Sequence, residues 1–560
     1  MPQHIWWKEA VFYEIYPRSF ADSNGDGIGD LPGIIQHLDY LAELGINAIW
    51  LQPHYPSPQV DVGYDVADYC AVAHEYGTLE DFKRLLEGCH RRGIRLVTDF
   101  VLNHTSPQHP WFLESRSSRT NPKADWYVWR DGKNGGPPNN WLSDFGGSAW
   151  EYVPERDQYY YHFFFKEQPD LNWRNPQVKQ AMFDAMRFWL DLGVDGFRLD
   201  AMRTLYEDPA MPDQTSEIQG REAPLLCGGA GEDPTWVRTQ RRKALEHQWD
   251  QPGLHDLLKE LRAVMDGYDE RMLVGETGDP VYLGNGSNEL HMVYGGVPRG
   301  TPQEMHAAIP KRWASFPPEG WQNVVLGGSD SARGVPSDNP ALDEILARRA
   351  LALTLTLPGT PMFFEGYEIG MTDLYIEDAS RLRDTLALIL LKADIARGQS
   401  PEEALRVAAR RSRDKSRIPM QWTNAPNGGF CPAGVQPWLP VNPDWAQGIN
   451  VADQDRDPDS RLNYYRRILA ARKKAPALAY GEYVPLHTEA ADHFAFLRRS
   501  AEDRQTCLVV VNLLNAAQCL SFALPGSTLR TLFSSHTRAP VSSPTGVWLA
   551  PYEVYMAELS

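Results

Sequence analysis

Arg198 and Asp200 are the residues whose types and spacing most directly indicate chemistry. They end the apolar segment 196–200, which is typical of a buried strand, and residues two apart on a strand project from the same face. A guanidinium beside a carboxylate favours the ionised carboxylate, which is the form that attacks an electrophilic carbon. Such pairs are also common as purely structural contacts, so the interpretation depends on the rest of the chain.

Other polar residues lie at or just after the ends of further apolar segments: Asp99, Asn103, His104, Glu276, Ser329 and Asp330. In a parallel barrel the carboxyl ends of the strands share one face, so these side chains would converge. Converging acids repel one another, which keeps one protonated while another stays ionised. Retaining glycosidases use such a pair, with carboxyl groups about 5–5.5 Å apart. We expect Asp200 to attack the anomeric carbon and Glu276 to protonate the leaving oxygen.

The elements that must position these residues alternate between short apolar and longer amphipathic segments. The predicted strands are 11–16, 48–51, 95–102, 196–200, 272–276, 290–294, 323–326 and 362–364. The predicted helices include 34–44, 176–192, 254–265 and 342–355. A further helix is predicted to begin at the capping box that Thr78 and Asp81 form. Eight such alternations predict a parallel (β/α)8 barrel. A doubly wound open sheet is the alternative, but no GxGxxG loop follows the first strand.

The predicted fold class is therefore α/β: a TIM barrel with an inserted domain and a C-terminal β domain. Residues 1–104 and 174–479 form the barrel, and residues 105–173, rich in Pro, Gly, Asn and Trp, form a domain inserted after the third strand. From about residue 480 alternating apolar runs at 494–497, 508–511 and 547–549 replace the helical pattern. They predict an antiparallel β-sandwich over residues 480–560.

The composition of the chain limits the classes of ligand and the cellular compartment that we expect. The 560 residues carry a net charge of −18, which opposes binding to nucleic acid or to an anionic membrane. The six cysteines show no CxxC spacing, which argues against a metal cluster and favours reduced thiols in a cytoplasmic protein. The N-terminus lacks the basic and apolar regions of a signal peptide, and no apolar stretch reaches the ~18 residues of a membrane span.

Over nearly its full length the chain resembles the α-amylase superfamily of glycoside hydrolases, in its α-glucosidase and oligo-1,6-glucosidase branch. The segments that carry the resemblance are 22–30, 99–104, 168–172, 196–200, 275–276 and 417–422. The resemblance implies a retaining, exo-acting enzyme with Asp200 as nucleophile, Glu276 as general acid/base and Asp330 as transition-state stabiliser. It also implies a group of substrate-binding residues: Asp61 and Tyr64, which close the pocket around a non-reducing glucose, Arg413 and Arg417 as partners of Asp61, and Arg198, His104 and Phe164.

The segment 22–30 places oxygen ligands at alternate positions among glycines, as a calcium loop does. The candidate ligands are Asp22, Asn24, Asp26, the Ile28 carbonyl and Asp30. Metal-free turns share this spacing, and no EF-hand glutamate follows. The family resemblance implies a structural Ca²⁺ or Mg²⁺ here, and neither an organic cofactor nor a catalytic metal is expected.

The sequence departs from the family at two places in the predicted site. Gly328 and Ser329 stand where the family has Asn-His before the stabilising aspartate, which removes an imidazole that binds sugar hydroxyls. Losing one such hydrogen bond costs ~1–3 kcal/mol. In the segment Tyr294-Gly-Gly296 the two glycines stand where relatives carry bulkier residues that line the site. Both changes predict a wider pocket and a changed substrate. Ala201, after the nucleophile, favours α-1,4 bonds, since family members that prefer α-1,6 bonds tend to carry Val.

Three functions fit these observations. The first is an exo-α-glucosidase that hydrolyses short α-glucosides, with α-1,4 or sucrose-like substrates favoured. The second is a glucosyl transferase or isomerase on the same scaffold, of the trehalose synthase or sucrose isomerase type. The third is a catalytically impaired binding relative, against which the retention of Asp200, Glu276 and Asp330 argues. The expected partner is a small oligosaccharide, and the protein is expected to be a monomer or a homodimer.

Overall fold

A closed barrel of parallel strands forms the centre of the molecule. The computed structural model describes residues 5–218, 234–334, 337–524 and 528–560. The barrel strands, from first to eighth, are Phe12–Ile15, Ala48–Leu51, Arg95–Val101, Gly196–Asp200, Met272–Gly275, Met292–Gly295, Trp321–Leu326 and Thr360–Phe364. Each pairs with its neighbours along the chain, and the eighth pairs with the first. The predicted TIM barrel is confirmed.

Helices cover the outside of the barrel. Those that follow the strands or lie between them include Leu31–Gln36, Leu38–Leu44, Leu79–Arg91, Pro176–Leu192, Leu254–Met265, Pro302–Trp313, Pro340–Thr356, Arg461–Lys473 and Pro476–Tyr480. The capping box at Thr78 and the cap at Asn175 form as predicted. The predicted helix 34–44 is two helices, because the chain breaks at His37. Helices Thr385–Ala396 and Pro401–Arg411 were not predicted.

Two insertions pack together above the barrel. The first holds helix Pro110–Ser117 and an antiparallel sheet of Trp129–Arg130, Gln158–Tyr161 and Trp150–Val153, all within the predicted range 105–173. The second follows the fourth strand and carries helix Pro234–Leu245. Its Ala244 and Leu245 are buried in one cluster with Trp141 and Trp150 of the first. This second insertion was not predicted, because its segment was assigned to the barrel.

The C-terminal region is the predicted antiparallel sandwich. Its five-stranded sheet runs in the order Glu482–Leu486, His493–Ser500, Gln505–Asn512, Val554–Leu559 and Leu529–Ser534. A two-stranded sheet, Gln518–Leu520 with Val547–Leu549, packs on one face of it. Side chains alternate along the strands, so the opposite face joins the barrel core.

Neither membrane spans nor disulfides are found in the part of the chain that the structure describes. None of the described helices is both long and apolar enough to cross a bilayer. The described cysteines, Cys70, Cys89, Cys431, Cys507 and Cys519, are free, and Cys227 lies outside the described residues.

Arg498 joins the sandwich to the barrel. It is fully buried in the second strand of the five-stranded sheet. Its guanidinium donates to the carbonyl oxygens of Gly481 (2.8 Å), Leu478 (3.2 Å) and Ala479 (3.3 Å), and to that of Thr356 at the end of a barrel helix. These carbonyls lie at helix ends or beside them, where main-chain partners are lacking.

We expect Arg498→Met to lower the free energy of unfolding by about 2–4 kcal/mol, because several buried carbonyl groups lose their donor. Denaturant unfolding measures the change. Arg499→Met is the matched control, since the neighbouring Arg499 is exposed. Equal stabilities of the two variants would contradict the anchoring role.

Candidate active site

The guanidinium of Arg198 lies between three carboxyl groups at the carboxyl ends of the strands. Nη1 lies 3.0 Å from Asp99 and 2.5 Å from Asp200, and Nη2 lies 2.9 Å from Glu276. Nε donates to the Tyr294 hydroxyl at 3.1 Å. Barrel register causes this convergence, because Asp99 lies opposite Arg198 on the neighbouring strand. The predicted pairing of Arg198 with Asp200 is thus present.

The three acids share this one guanidinium in a buried site. Burial raises the pKa of Asp200 well above its usual value; Arg198 opposes the rise, and Glu276 and Asp99 add to it. Burial likewise raises the pKa of Asp99 to about 6. Arg198 lowers the pKa of Asp200 as expected, but burial and the two neighbouring acids outweigh it, so the expectation of an ionised Asp200 is not met. Asp99 and Asp200 therefore hold their protons to higher pH than free carboxyl groups do.

Asp330 is held by a different arginine. Arg417 Nη2 donates to its Oδ1. Burial raises the pKa of Asp330, but Arg417 and Arg413 outweigh burial, so the pKa is lowered and the group is ionised. Arg417 was predicted to pair with Asp61. The structure corrects this, because Arg417 contacts Asp330 and only Arg413 reaches Asp61.

Asp61 is fixed by two donors, Arg413 and Gln168. Arg413 Nη2 lies 2.8 Å from Asp61 and 2.8 Å from Asp384. Gln168 Nε2 donates to the other oxygen of Asp61 at 3.1 Å and lies 2.9 Å from His104 Nε2. Burial lowers the pKa of His104 to about 4, so the ring is neutral at physiological pH.

These groups surround a cavity of about 240 Å³. Its lining brings together predicted and unpredicted residues: Asp61, Tyr64, His104, Phe164, Asp200, Glu276, Asp330 and Arg413 were predicted, whereas Phe145, Ala201 and Leu386 were not named as site residues. Phe164 lies 5.3 Å from the His104 ring and 5.2 Å from Phe145, between centroids. Phe145 comes from the first insertion and Leu386 from an unpredicted helix, and neither has a sequence signal that marks it.

Ala201 turns the chain beneath Glu276. It has φ = 46°, a left-handed conformation that is uncommon for a residue with a side chain. The turn directs its N–H to Glu276 Oε2 at 3.0 Å. The backbone after Asp200 therefore helps to fix the orientation of the candidate acid.

Of the glycines at the two departures from the family, Gly296 is exposed beside open space, where an added Cβ would meet no atom within 4 Å, and it is not among the residues that line the cavity. At Gly295 a Cβ would lie 2.5 Å from Gln322 Oε1, and at Gly328 it would lie 3.1 Å from Glu14 Oε2. Neighbouring side chains thus fill the space at both positions. The wider pocket stays a prediction, because sequence alone does not show which side chain occupies the space that a glycine leaves.

The loop at residues 22–30 is closed by its own hydrogen bonds. Asp22 accepts the N–H groups of Gly25 and Gly27, Asp26 accepts that of Ile28, and Asp30 accepts that of Gly33 as a helix cap. Within the described residues no group of three His, Cys, Asp or Glu side chains is arranged to hold a metal. The structure gives the proposed ion no further support, and its binding by Asp22, Asn24, Asp26, Ile28 and Asp30 stays a prediction.

A parallel barrel that presents paired acids around one cavity at the carboxyl ends of its strands defines a candidate glycoside hydrolase. A scan against family models matches residues 14–481 to the α-amylase catalytic domain. The chain belongs to the α-amylase family and is a glycosidase.

Relatives of known name agree with this assignment. The chain is 39% identical over 505 residues to the oligo-1,6-glucosidase of Parageobacillus thermoglucosidasius, covering 86% of each chain. It is 40% identical over 523 residues to a probable α-glucosidase of Rhizobium meliloti, covering 90% of this chain and 89% of that one.

Two solved structures resemble it over the whole length. They are the trehalulose synthase of Pseudomonas mesoacidophila MX-45, at 36% identity and a TM-score of 0.85, and an isomaltulose synthase variant of Erwinia rhapontici NX5 in complex with sucrose, at 35% identity and a TM-score of 0.85. Each comparison covers 100% of both chains.

If the loop at 22–30 binds Ca²⁺, chelation by EDTA will lower the melting temperature and added Ca²⁺ will restore it. A ligand at a hundred times its Kd stabilises the folded state by about 2.7 kcal/mol. Asp26→Asn keeps the oxygen that accepts the Ile28 amide and removes one charge, so this variant should respond less. A wild-type melting temperature that EDTA leaves unchanged would reject the metal.

Proposed function

We propose that the protein is a retaining, exo-acting α-glucosidase that hydrolyses short α-glucosides through a covalent glucosyl-enzyme intermediate. The observation that carries the proposal is one small cavity lined by Asp200, Glu276 and Asp330. Its volume of about 240 Å³ is below the ~300–1,000 Å³ of most ligand pockets, which suits a single sugar ring better than a chain.

The reaction assigns one role to each acid. Asp200 forms the bond to the anomeric carbon while Glu276 gives its proton to the departing glycosidic oxygen. Glu276 then takes a proton from water, which displaces Asp200 from the sugar with net retention. Asp330, held ionised by Arg417, stabilises the positive charge that develops on the ring. The contact of Asp200 and Glu276 with one guanidinium supports their acting on one bond.

The ion pair of Asp61 with Arg413 in the cavity wall supports exo-action. The pair is buried, and Gln168 holds the second oxygen of Asp61. The hydroxyl groups of a terminal glucose can form hydrogen bonds with these fixed side chains. A longer chain would have to pass between Asp61 and Arg413 and would break the ion pair. Breaking one partner of a buried ion pair costs about 3–5 kcal/mol.

The linkage is proposed from Ala201. In the family, an alanine at this position tends to accompany a preference for α-1,4 bonds, so we expect α-1,4 glucosides or sucrose as substrates. Several relatives are nevertheless named oligo-1,6-glucosidases. Because the left-handed backbone at this position disfavours a β-branched side chain, alanine also suits the local geometry.

A glucosyl transferase or isomerase is the second candidate. It is favoured by the likeness to trehalulose and isomaltulose synthases, which share the full length of the chain. Such an enzyme would use the same intermediate and pass glucose to fructose before water reacts. Hydrolysis and isomerisation therefore differ in how well the site excludes water.

The catalytic assignment can be tested with an aryl α-glucoside and with maltose. Glu276→Gln should lower kcat on maltose by about 10²–10⁴-fold, and far less on a nitrophenyl glucoside, whose leaving group needs no proton. Asp200→Asn should lose activity on both, by at least about 10⁴-fold. The first product seen by NMR should be the α-anomer. Asp256→Asn, which changes an exposed acid, is the control; full activity in Asp200→Asn would reject the mechanism.

A panel of maltose, isomaltose, sucrose and trehalose with product identification tests the substrate. We expect free glucose from maltose and equal amounts of glucose and fructose from sucrose. Ala201→Val should shift the maltose-to-isomaltose rate ratio toward isomaltose. A sucrose reaction that yields an isomer of sucrose in place of free fructose would replace hydrolysis by the isomerase function.

A further inference from the structure

Glu14 is a buried acid on the first barrel strand that the proposed reaction does not use. It is 1% exposed and lies behind residues 328–330. Its Oε1 accepts from Gln52 Nε2 at 2.5 Å and from the Ser329 N–H at 3.3 Å. Its Oε2 is buried and has no hydrogen-bond partner among the described residues. A buried carboxyl oxygen without a hydrogen-bond partner lowers the free energy of unfolding. Its presence beside the reaction site therefore points to a functional role.

The position of Glu14 explains why residue 328 is a glycine. An added Cβ at Gly328 would lie 3.1 Å from Glu14 Oε2, a closer approach than most side chains tolerate. The carboxyl group of Glu14 therefore occupies the space beside this segment. The carboxyl group of Glu14 thus lies directly beside Gly328 and Ser329, the two residues at which this chain departs from the family pattern.

The peptide of Ser329 is held from both sides. Glu14 accepts its N–H, while Ser416 Oγ donates to its carbonyl at 2.8 Å and Arg417 Nε at 3.4 Å. The next residue is Asp330, whose carboxylate binds the same Arg417. Movement of the Ser329 amide would therefore move Asp330 within the cavity.

We propose that Glu14 is a positioning residue for Asp330, and that its ionised form holds the Ser329 amide more firmly than its protonated form does. This inference rests on the proposed function, in which Asp330 stabilises the transition state. A hydrogen bond to a charged acceptor is about twice as strong as one to a neutral acceptor. Ionisation of Glu14 should therefore improve the placement of Asp330.

The environment of Glu14 sets the pH range. Burial raises the pKa of Glu14 to about 7; the contacts with Ser329 and Gln52 oppose the rise and the charge of Asp330 adds to it. Four other titratable groups face Glu14. They are Arg198 on the fourth strand, Tyr294 on the sixth strand, and Glu365 and Tyr367, which follow the eighth strand. Glu14 is thus protonated in mildly acidic solution and ionised in mildly alkaline solution.

The test compares Glu14→Gln with the wild type across pH. Glutamine keeps the shape and the accepting oxygen but cannot ionise, so it resembles protonated Glu14 at every pH. The wild-type to variant ratio of kcat/KM should be near one at about pH 5.5 and rise to about fivefold at about pH 8. A ratio that does not change with pH would overturn the positioning role.

Glu368→Gln is the matched control. Glu368 is also a buried glutamate near the eighth strand, but it accepts from Tyr13 and Tyr40 and does not contact the segment that carries Asp330. Its activity ratio should not follow the same pH curve. Gly328→Ala is a second variant, which should displace the Glu14 carboxyl group and remove the pH dependence that separates the wild type from Glu14→Gln.

Thermal unfolding gives a readout that needs no substrate. Because the folded-state pKa of Glu14 is raised to about 7, the wild type loses stability as pH rises from the unfolded pKa to about 7, and it loses no more once Glu14 is ionised in both states. The melting temperature of Glu14→Gln relative to wild type should therefore increase between about pH 5.5 and pH 8. A constant difference would show that Glu14 does not titrate and would overturn the proposal. Absence of turnover on every α-glucoside would instead reject the proposed function and leave the thermal result unaffected.

Discussion

The contact of Arg198 with Asp99, Asp200 and Glu276 is the constraint on which the site depends. One guanidinium contacts three acids, of which Asp99 and Asp200 are buried and Glu276 is partly exposed. The two buried acids cannot both be ionised near neutral pH without a large electrostatic cost. The guanidinium also holds Asp200 and Glu276 next to one another at the cavity, as the cleavage of a glycosidic bond by two carboxyl groups requires.

The second arginine system works in the opposite direction. Arg417 and Arg413 lower the pKa of Asp330, and Arg413 also binds Asp61 and Asp384. The site thus has one side that retains a proton and another that stays ionised. Phe145 and Phe164 of the first insertion and Leu386 of the helix Thr385–Ala396 form part of the wall of the cavity between these sides.

Sequence reasoning predicted most of the fold because the barrel depends on local patterns. Each strand is a short apolar segment, and helix starts such as Thr78 and Asn175 carry their own capping residues. It missed the insertion packed on Trp141 and the helices Thr385–Ala396 and Pro401–Arg411, although Ser400 and Pro401 mark the start of the second helix as a cap and a first-turn proline. It also assigned Arg417 to Asp61, since spacing along the chain does not show which of two arginines reaches which acid.

The sequence by itself determined the reaction class, because Asp200, Glu276 and Asp330 lie at strand ends that a parallel barrel brings to one face. Only the tertiary structure decided the environment of these acids. Burial outweighs the effect of Arg198 on the pKa of Asp200, and the Glu14 carboxyl group fills the space beside Gly328. Both outcomes depend on groups far apart in the chain, whose desolvation and contacts exist only after folding.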